Sequence, residues 1–176
     1  MPEGYRAICK AIAKGEIFVR DEQVPSAEAS YDNTNDGLLV NPNLFNSTYG
    51  RSIVIHELTH AIVDVRPAIG WTFHTNECAA FIAQAIYLKV TKTPTPVFAN
   101  DPGVTAIFKE ARALVDSFGF GDNTVGYGGI TPQDPEMVRL RKAVADVYLQ
   151  YKPHEQMPVT NFGLKSKNKI DTGQLD

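Results

Sequence analysis

The sequence has few of the features that mark secreted, disulfide-rich proteins. Only two of its 176 residues are cysteines, Cys9 and Cys78, and two cysteines are too few for a disulfide framework. They form either one pair or, as we expect, two ordinary thiols. The first twenty residues lack the uninterrupted apolar segment of a signal peptide, because charged side chains interrupt them. We therefore expect a cytoplasmic protein, unless a specialised secretion route exports it.

Long apolar runs and an excess of positive charge are also absent. No run approaches the ~20 apolar residues that span a bilayer, so we predict no membrane-spanning helix. The formal net charge is -3 at pH 7, whereas domains that bind nucleic acid usually carry a strongly basic surface. We therefore expect no nucleic-acid partner.

The composition is that of a folded globular domain, with 43% hydrophobic and 21% charged residues. A chain of this length buries roughly 68–70% of its unfolded surface, which is enough for an ordinary core. We predict a single domain over residues 1–153, followed by a polar tail over residues 154–176.

Hydrophobic periodicity and turn residues predict a short sheet near the start of the chain and helices after it. The predicted strands cover residues 17–19, 27–31 and 37–40, and the predicted helices cover residues 2–14, 52–65, 77–90, 102–118 and 135–151. Turn-forming residues between the last two strands favour an antiparallel hairpin. A proline-containing linker at residues 91–96 and a long glycine-rich loop at residues 118–132 separate the later helices. The order of elements predicts the fold class α+β, with a small antiparallel sheet packed on a mainly helical body.

One predicted helix contains His56-Glu57-Leu58-Thr59-His60, an H-E-x-x-H motif. Residues four apart on a helix differ by about 400°, one turn plus ~40°, so both imidazoles project from one face. This spacing suits two nitrogen ligands of one tetrahedral Zn²⁺, and the carboxylate beside them is placed to take a proton from water at the metal. A shuffled chain of this composition contains the motif with a probability of only about 0.005. A solvated surface turn is the alternative, but these polar side chains lie in an otherwise apolar helix and need partners there.

A zinc site with two histidines needs a third protein ligand and an open position for water. Glu77 is the preferred candidate, because the residues around it are small and allow its helix to approach the first one closely. His74, Asp64 and His154 are the other candidates. Asp64 lies one turn beyond His60, where it either supports a ligand ring or faces solvent. Glu77 either binds the metal or complements the dipole at a helix start.

The motif, followed by a glutamate on the next helix, resembles the gluzincin group of zinc metallopeptidases, of which thermolysin is a member. The resemblance covers residues 53–88, about a fifth of the chain. It implies that His56, His60 and Glu77 bind zinc and that Glu57 is the general base.

The resemblance has departures. Thermolysin-like enzymes carry Ser-Asp three and four residues after the ligand glutamate, whereas this chain has Ala80-Phe81 there. The aspartate that orients a ligand histidine is therefore missing at that place, and Asp64 is the candidate to replace it. The metzincin extension of the first motif is also absent. The short chain is more similar to the minimal zincin domains of small bacterial peptidases and toxin-like effectors.

The family mechanism requires two further elements. A tyrosine or histidine from a later segment stabilises the oxyanion, and the candidates are Tyr127 in the glycine-rich loop and His154 after the last helix, each with a structural or solvated role as the alternative. An edge strand commonly pairs with the extended substrate in this family. Residues 37–41 form either that edge or an ordinary core strand.

The sequence thus predicts a zinc-dependent metallopeptidase that acts on a peptide or protein substrate. The alternatives are a zinc amidohydrolase acting on a cell-wall-type peptide and a catalytically silent zinc-containing module that binds or regulates a partner. The presence of Glu57 favours an enzyme, because binding a metal does not by itself require a general base.

Overall fold

The computed structural model describes residues 3–21, 29–65, 72–120 and 130–151. The chain divides into two compact units, one containing the described residues up to Val65 and the other those from Thr72 onward. Five α-helices and a three-stranded sheet in the described ranges confirm the α+β class. The predicted boundary at residue 153 stays a prediction, and the tail at residues 154–176 lies outside the described residues.

The first unit begins with a helix and ends with the helix that contains the motif. Its elements are α1 (Glu3–Ala13), β1 (Phe18–Arg20), β2 (Ala29–Asp32), β3 (Gly37–Val40), a 3-10 helix (Pro42–Asn46) and α2 (Thr48–Val65). Helix α1 ends where Gly15 takes a left-handed conformation with φ 68°, which glycine adopts without steric cost. Helix α2 begins four residues before its predicted start at residue 52, because the Ser47 hydroxyl accepts a hydrogen bond from the Gly50 N–H and caps the helix.

The sheet has the strand order β1-β3-β2. The predicted antiparallel hairpin of β2 and β3 is confirmed, with Ser30 opposite Leu39. Strand β1 pairs with β3 in parallel, so the sheet is mixed and the prediction of a purely antiparallel sheet is wrong in this respect. Strand β3 is central and mostly buried, as expected for a strand with neighbours on both sides. The interpretation of residues 37–41 as a substrate-pairing edge is therefore wrong, and the core-strand alternative is correct.

Helix α2 packs on α1 and the sheet to form the core of the first unit. This core includes Ile8, Ala11, Ile17, Ala29, Leu38, Val40, Leu44, Val54 and Ala61. The almost continuous apolar character of α2 agrees with burial on more than one side, because α1 and the sheet both contact it.

The second unit consists of α3 (Phe73–Val90), α4 (Pro102–Ser117) and α5 (Pro135–Tyr151). Helix α3 begins four residues before its predicted start at residue 77, because the Thr72 side chain accepts a hydrogen bond from the Thr75 N–H and caps it there. Asp101 caps α4 in the same way, and Pro102 occupies its first turn. The predicted linker at residues 91–96 has neither helix nor strand.

Both cysteines are free, Cys9 exposed and Cys78 buried, which confirms the expectation of two ordinary thiols. Burial raises the pKa of the Cys78 thiol to about 12. Among the described helices, none combines the length and the apolar character that crossing a membrane requires.

The start of α2 depends on a close backbone approach at Gly50. A Cβ atom at this position would overlap the carbonyl oxygen of Leu44 in the 3-10 helix. We expect Gly50→Ala to lower the free energy of unfolding by about 1–3 kcal/mol, as overpacking does, despite the higher helix propensity of alanine. Urea unfolding followed by circular dichroism measures the change.

Gly37→Ala is the matched control, because no atom lies within 4 Å of the position its Cβ would take. It should change stability by less than about 1 kcal/mol. Equal stability of the Gly50→Ala variant and the wild type would contradict the close approach of α2 to the 3-10 helix.

Candidate metal centre

The motif residues meet on one face of α2. The ring centroids of His56 and His60 are 4.9 Å apart, with an angle of 77° between the ring planes. One ligand atom each from His56, Glu57 and His60 lies within 4.8 Å of the other two. This arrangement confirms the predicted group as one that could hold a metal ion.

The donor types of this group fit a transition metal. Imidazole nitrogens suit zinc, copper, iron and nickel, whereas magnesium and calcium prefer oxygen ligands alone. His56 is buried, with 8% of its surface exposed, while Glu57 and His60 are half-buried. The group therefore lies at the boundary of the core, where water can reach part of it.

Helix α1 contacts α2 beside the histidine pair. Thr59 lies three residues after His56 and one before His60, and its hydroxyl is 2.9 Å from the hydroxyl of Tyr5 on α1. The Thr59 hydroxyl also donates to the carbonyl of Ile55, 2.8 Å away. Burial raises the pKa of Tyr5, so this phenol stays protonated. These contacts hold α2 next to the candidate metal group.

Strand β2 contacts the same helix through Tyr31, a residue that sequence reasoning missed. Its backbone N–H donates to Oε2 of Glu57 at 2.9 Å, and its hydroxyl donates to Oδ2 of Asp64 at 2.9 Å. These partners are 26 and 33 residues away along the chain. A tyrosine in a short strand candidate has no local pattern that identifies such distant partners.

Asp64 is buried, with 3% of its surface exposed, so the interpretation that it faces solvent is wrong. The hydrogen bond from the Tyr31 hydroxyl satisfies part of this buried carboxylate, which would otherwise be costly to remove from water. Burial and the nearby charge of Asp64 raise the pKa of Tyr31, so its hydroxyl remains a donor. The proposed support of a histidine ring by Asp64 stays a prediction.

Glu77 lies in the second unit, on α3, with 6% of its surface exposed. It follows the first turn of α3, beyond the range in which a helix dipole acts strongly. Two buried polar atoms near it in sequence, Nε2 of His74 and Oδ1 of Asn76, have no hydrogen-bond partner among the described residues. The start of α3 thus presents several buried polar groups. Coordination of one metal by Glu77 together with the histidines of α2 stays a prediction.

The two candidates for oxyanion stabilisation, Tyr127 and His154, lie outside the described residues. Their predicted roles are therefore untested, as is the role of His154 as a metal ligand.

Comparisons with protein-family models, with curated proteins and with solved structures found no match for this chain. What supports a metal site is the donor set itself, two imidazoles and one carboxylate on one helix face.

Proposed function

We propose that the protein is a zinc-dependent metallopeptidase that hydrolyses peptide bonds. The observation that carries this proposal is the convergence of His56, Glu57 and His60 within 4.8 Å on α2. A structural zinc site needs ligands only, whereas a hydrolytic site also needs a carboxylate that can move a proton. The H-E-x-x-H spacing supplies both, and it is the spacing of the gluzincin motif.

His56 and His60 would hold the zinc ion, with Glu77 as the proposed third ligand. When bound, zinc supplies a Lewis acid that polarises water and the scissile carbonyl. Glu57 accepts the proton of the attacking water and delivers it to the leaving amine. The oxygen donors of its carboxylate and its place on the helix after the motif, as in the gluzincin pattern, support the role of Glu77 as a ligand.

The edge of β2 that faces away from β3 is the proposed place for the substrate backbone. The Phe18 N–H of β1 donates to the carbonyl of Asp36, the residue before β3, at 2.9 Å. Backbone groups alternate in direction along a strand, so those of Leu38 and Val40 also point toward β1. Leu39 therefore faces β2 and bonds to Ser30, its partner in the register. By alternation, the N–H and C=O of Tyr31 point away from β3.

The outward N–H of Tyr31 donates to Glu57, the proposed general base. A peptide at this edge would therefore pair with the Tyr31 carbonyl, which would bring its backbone next to the carboxylate that moves the proton. We therefore propose β2, and not residues 37–41, as the pairing edge.

Glu57→Gln tests the proposed chemistry. The variant keeps the shape of the side chain and both histidines, so zinc content should remain that of the wild type. Peptide cleavage should fall by about 10²–10⁴-fold, because glutamine cannot act as a general base. Metal analysis and cleavage of a broad peptide library measure the two properties.

Glu110→Gln is the matched control, since Glu110 pairs with Arg139 on the protein surface, and it should cleave as the wild type does. A zinc-loaded wild type that cleaves no member of the peptide library would overturn the proposed peptidase activity. Hydrolysis of cell-wall-type peptides by such a protein would then indicate the amidohydrolase, and no hydrolysis at all would indicate the silent module.

Glu77→Ala tests the third ligand. If Glu77 binds zinc, the variant should bind it at least about 100-fold more weakly, since even residues that only support ligands contribute 10–100-fold. Competition with a chromophoric chelator measures the affinity. His74→Ala is the matched comparison in the same turn of α3. A larger loss of affinity in His74→Ala than in Glu77→Ala would contradict the proposed ligand and assign His74 instead.

A further inference from the structure

Tyr31 contacts α2 at two points that are two helical turns apart. Glu57 and Asp64 are seven residues apart, so they lie on nearly the same stripe of the helix, separated by about 10.5 Å along its axis. The backbone N–H of Tyr31 bonds to the first carboxylate and its hydroxyl bonds to the second, each at 2.9 Å. One residue of β2 thus spans the part of α2 that contains His60.

The fold holds both contacts of Tyr31 in place. The backbone N–H is fixed by the sheet, because Ser30 pairs with Leu39 and holds β2 in register. The phenol is half-buried against the core of the first unit, and its partner Asp64 is almost fully buried. Both ends of Tyr31 are therefore held by rigid surroundings, which is the requirement for orienting another side chain.

The hydrogen bond from Tyr31 uses one of the two carboxylate oxygens of Glu57. A carboxylate has two oxygens, each able to accept hydrogen bonds. With Oε2 bound to the strand, the other oxygen is left to exchange a proton with water at the histidine pair. A flexible glutamate side chain would otherwise sample several rotamers and reach this geometry for only part of the time.

We propose that Tyr31 is the positioning residue of Glu57, its N–H fixing the carboxylate while the bond between its hydroxyl and Asp64 fixes Tyr31 along α2. This inference rests on the proposed function for the role of Glu57, but the contact itself can be tested without any activity.

Amide hydrogen exchange in the ¹⁵N-labelled full chain tests the first contact. The Tyr31 amide points away from β3, so its protection depends on Glu57. In Glu57→Ala this amide should exchange at least about tenfold faster, as expected for the loss of a hydrogen bond to a carboxylate. The Ser30 amide points toward β3 and should keep its protection, which shows that the sheet is intact. Unchanged exchange at Tyr31 would overturn the proposal.

Addition of zinc tests whether the contact persists in the loaded protein. The Tyr31 amide should stay protected when zinc is added to the wild type, because only the other oxygen of Glu57 is required for proton transfer. Loss of this protection on zinc addition would mean that Glu57 leaves Tyr31 to act, and this result would overturn the positioning role.

Tyr31→Phe tests the second contact, because it removes the hydroxyl and keeps the backbone N–H. The amide of residue 31 should exchange at least about threefold faster, and kcat should fall by about tenfold or more with KM within twofold. Asp64→Asn retains an acceptor for the hydroxyl and should preserve the protection, whereas Asp64→Ala should not. Equal exchange and equal kcat in Tyr31→Phe and the wild type would contradict the anchoring role of the phenol.

Tyr5→Phe is the matched control. It also removes a half-buried hydroxyl that bonds to α2, but at Thr59 and not at Glu57 or Asp64. It should leave the exchange at Tyr31 unchanged. If the wild type cleaves nothing, the proposed function fails, and amide exchange still decides whether Tyr31 holds Glu57.

Discussion

The helical periodicity of α2 is the constraint on which the candidate site depends. An α-helical turn brings two imidazoles four residues apart to one face, where they can share one ion. Three sets of contacts hold this helix: Ser47 caps its start, Tyr5 bonds to Thr59 beside the histidines, and the core of the first unit packs against its apolar residues. The candidate metal-binding face thus depends on how the whole first unit folds.

The buried polar residues of α2 connect the sheet to the candidate site. His56, Thr59 and Asp64 all have less than a tenth of their surface exposed, and a helix with such residues needs specific partners for them. Tyr31 supplies one of these partners and simultaneously bonds to the carboxylate of Glu57. The same short strand that completes the sheet therefore also reaches the reacting group of the proposed enzyme.

The sequence was sufficient for features that depend on neighbouring residues. The grouping of His56, Glu57 and His60 follows from one helical turn, and the hairpin of β2 and β3 follows from the turn formers between them. Helices α2 and α3 each begin four residues before the start that the hydrophobic pattern predicts, because the capping side chains of Ser47 and Thr72 precede that pattern.

Features that depend on distant pairing could not be predicted in this way. The parallel pairing of Phe18 with Gly37 makes β3 central, and no local pattern distinguishes a parallel neighbour from an open edge. The contacts of Tyr31 with Glu57 and Asp64 depend on how β2 crosses α2, which is a property of the packed unit and not of either segment.

X-ray absorption at the zinc edge of the zinc-loaded full chain measures most directly which side chains bind the metal. If His56 and His60 are the ligands, the spectrum shows scattering from two imidazole rings, and every atom bound to zinc is nitrogen or oxygen at ~2.0–2.2 Å. His56→Ala should then remove one imidazole from the fit. Sulfur scattering at ~2.3 Å, or a spectrum without imidazole, would contradict the assignment of the metal to this face of α2.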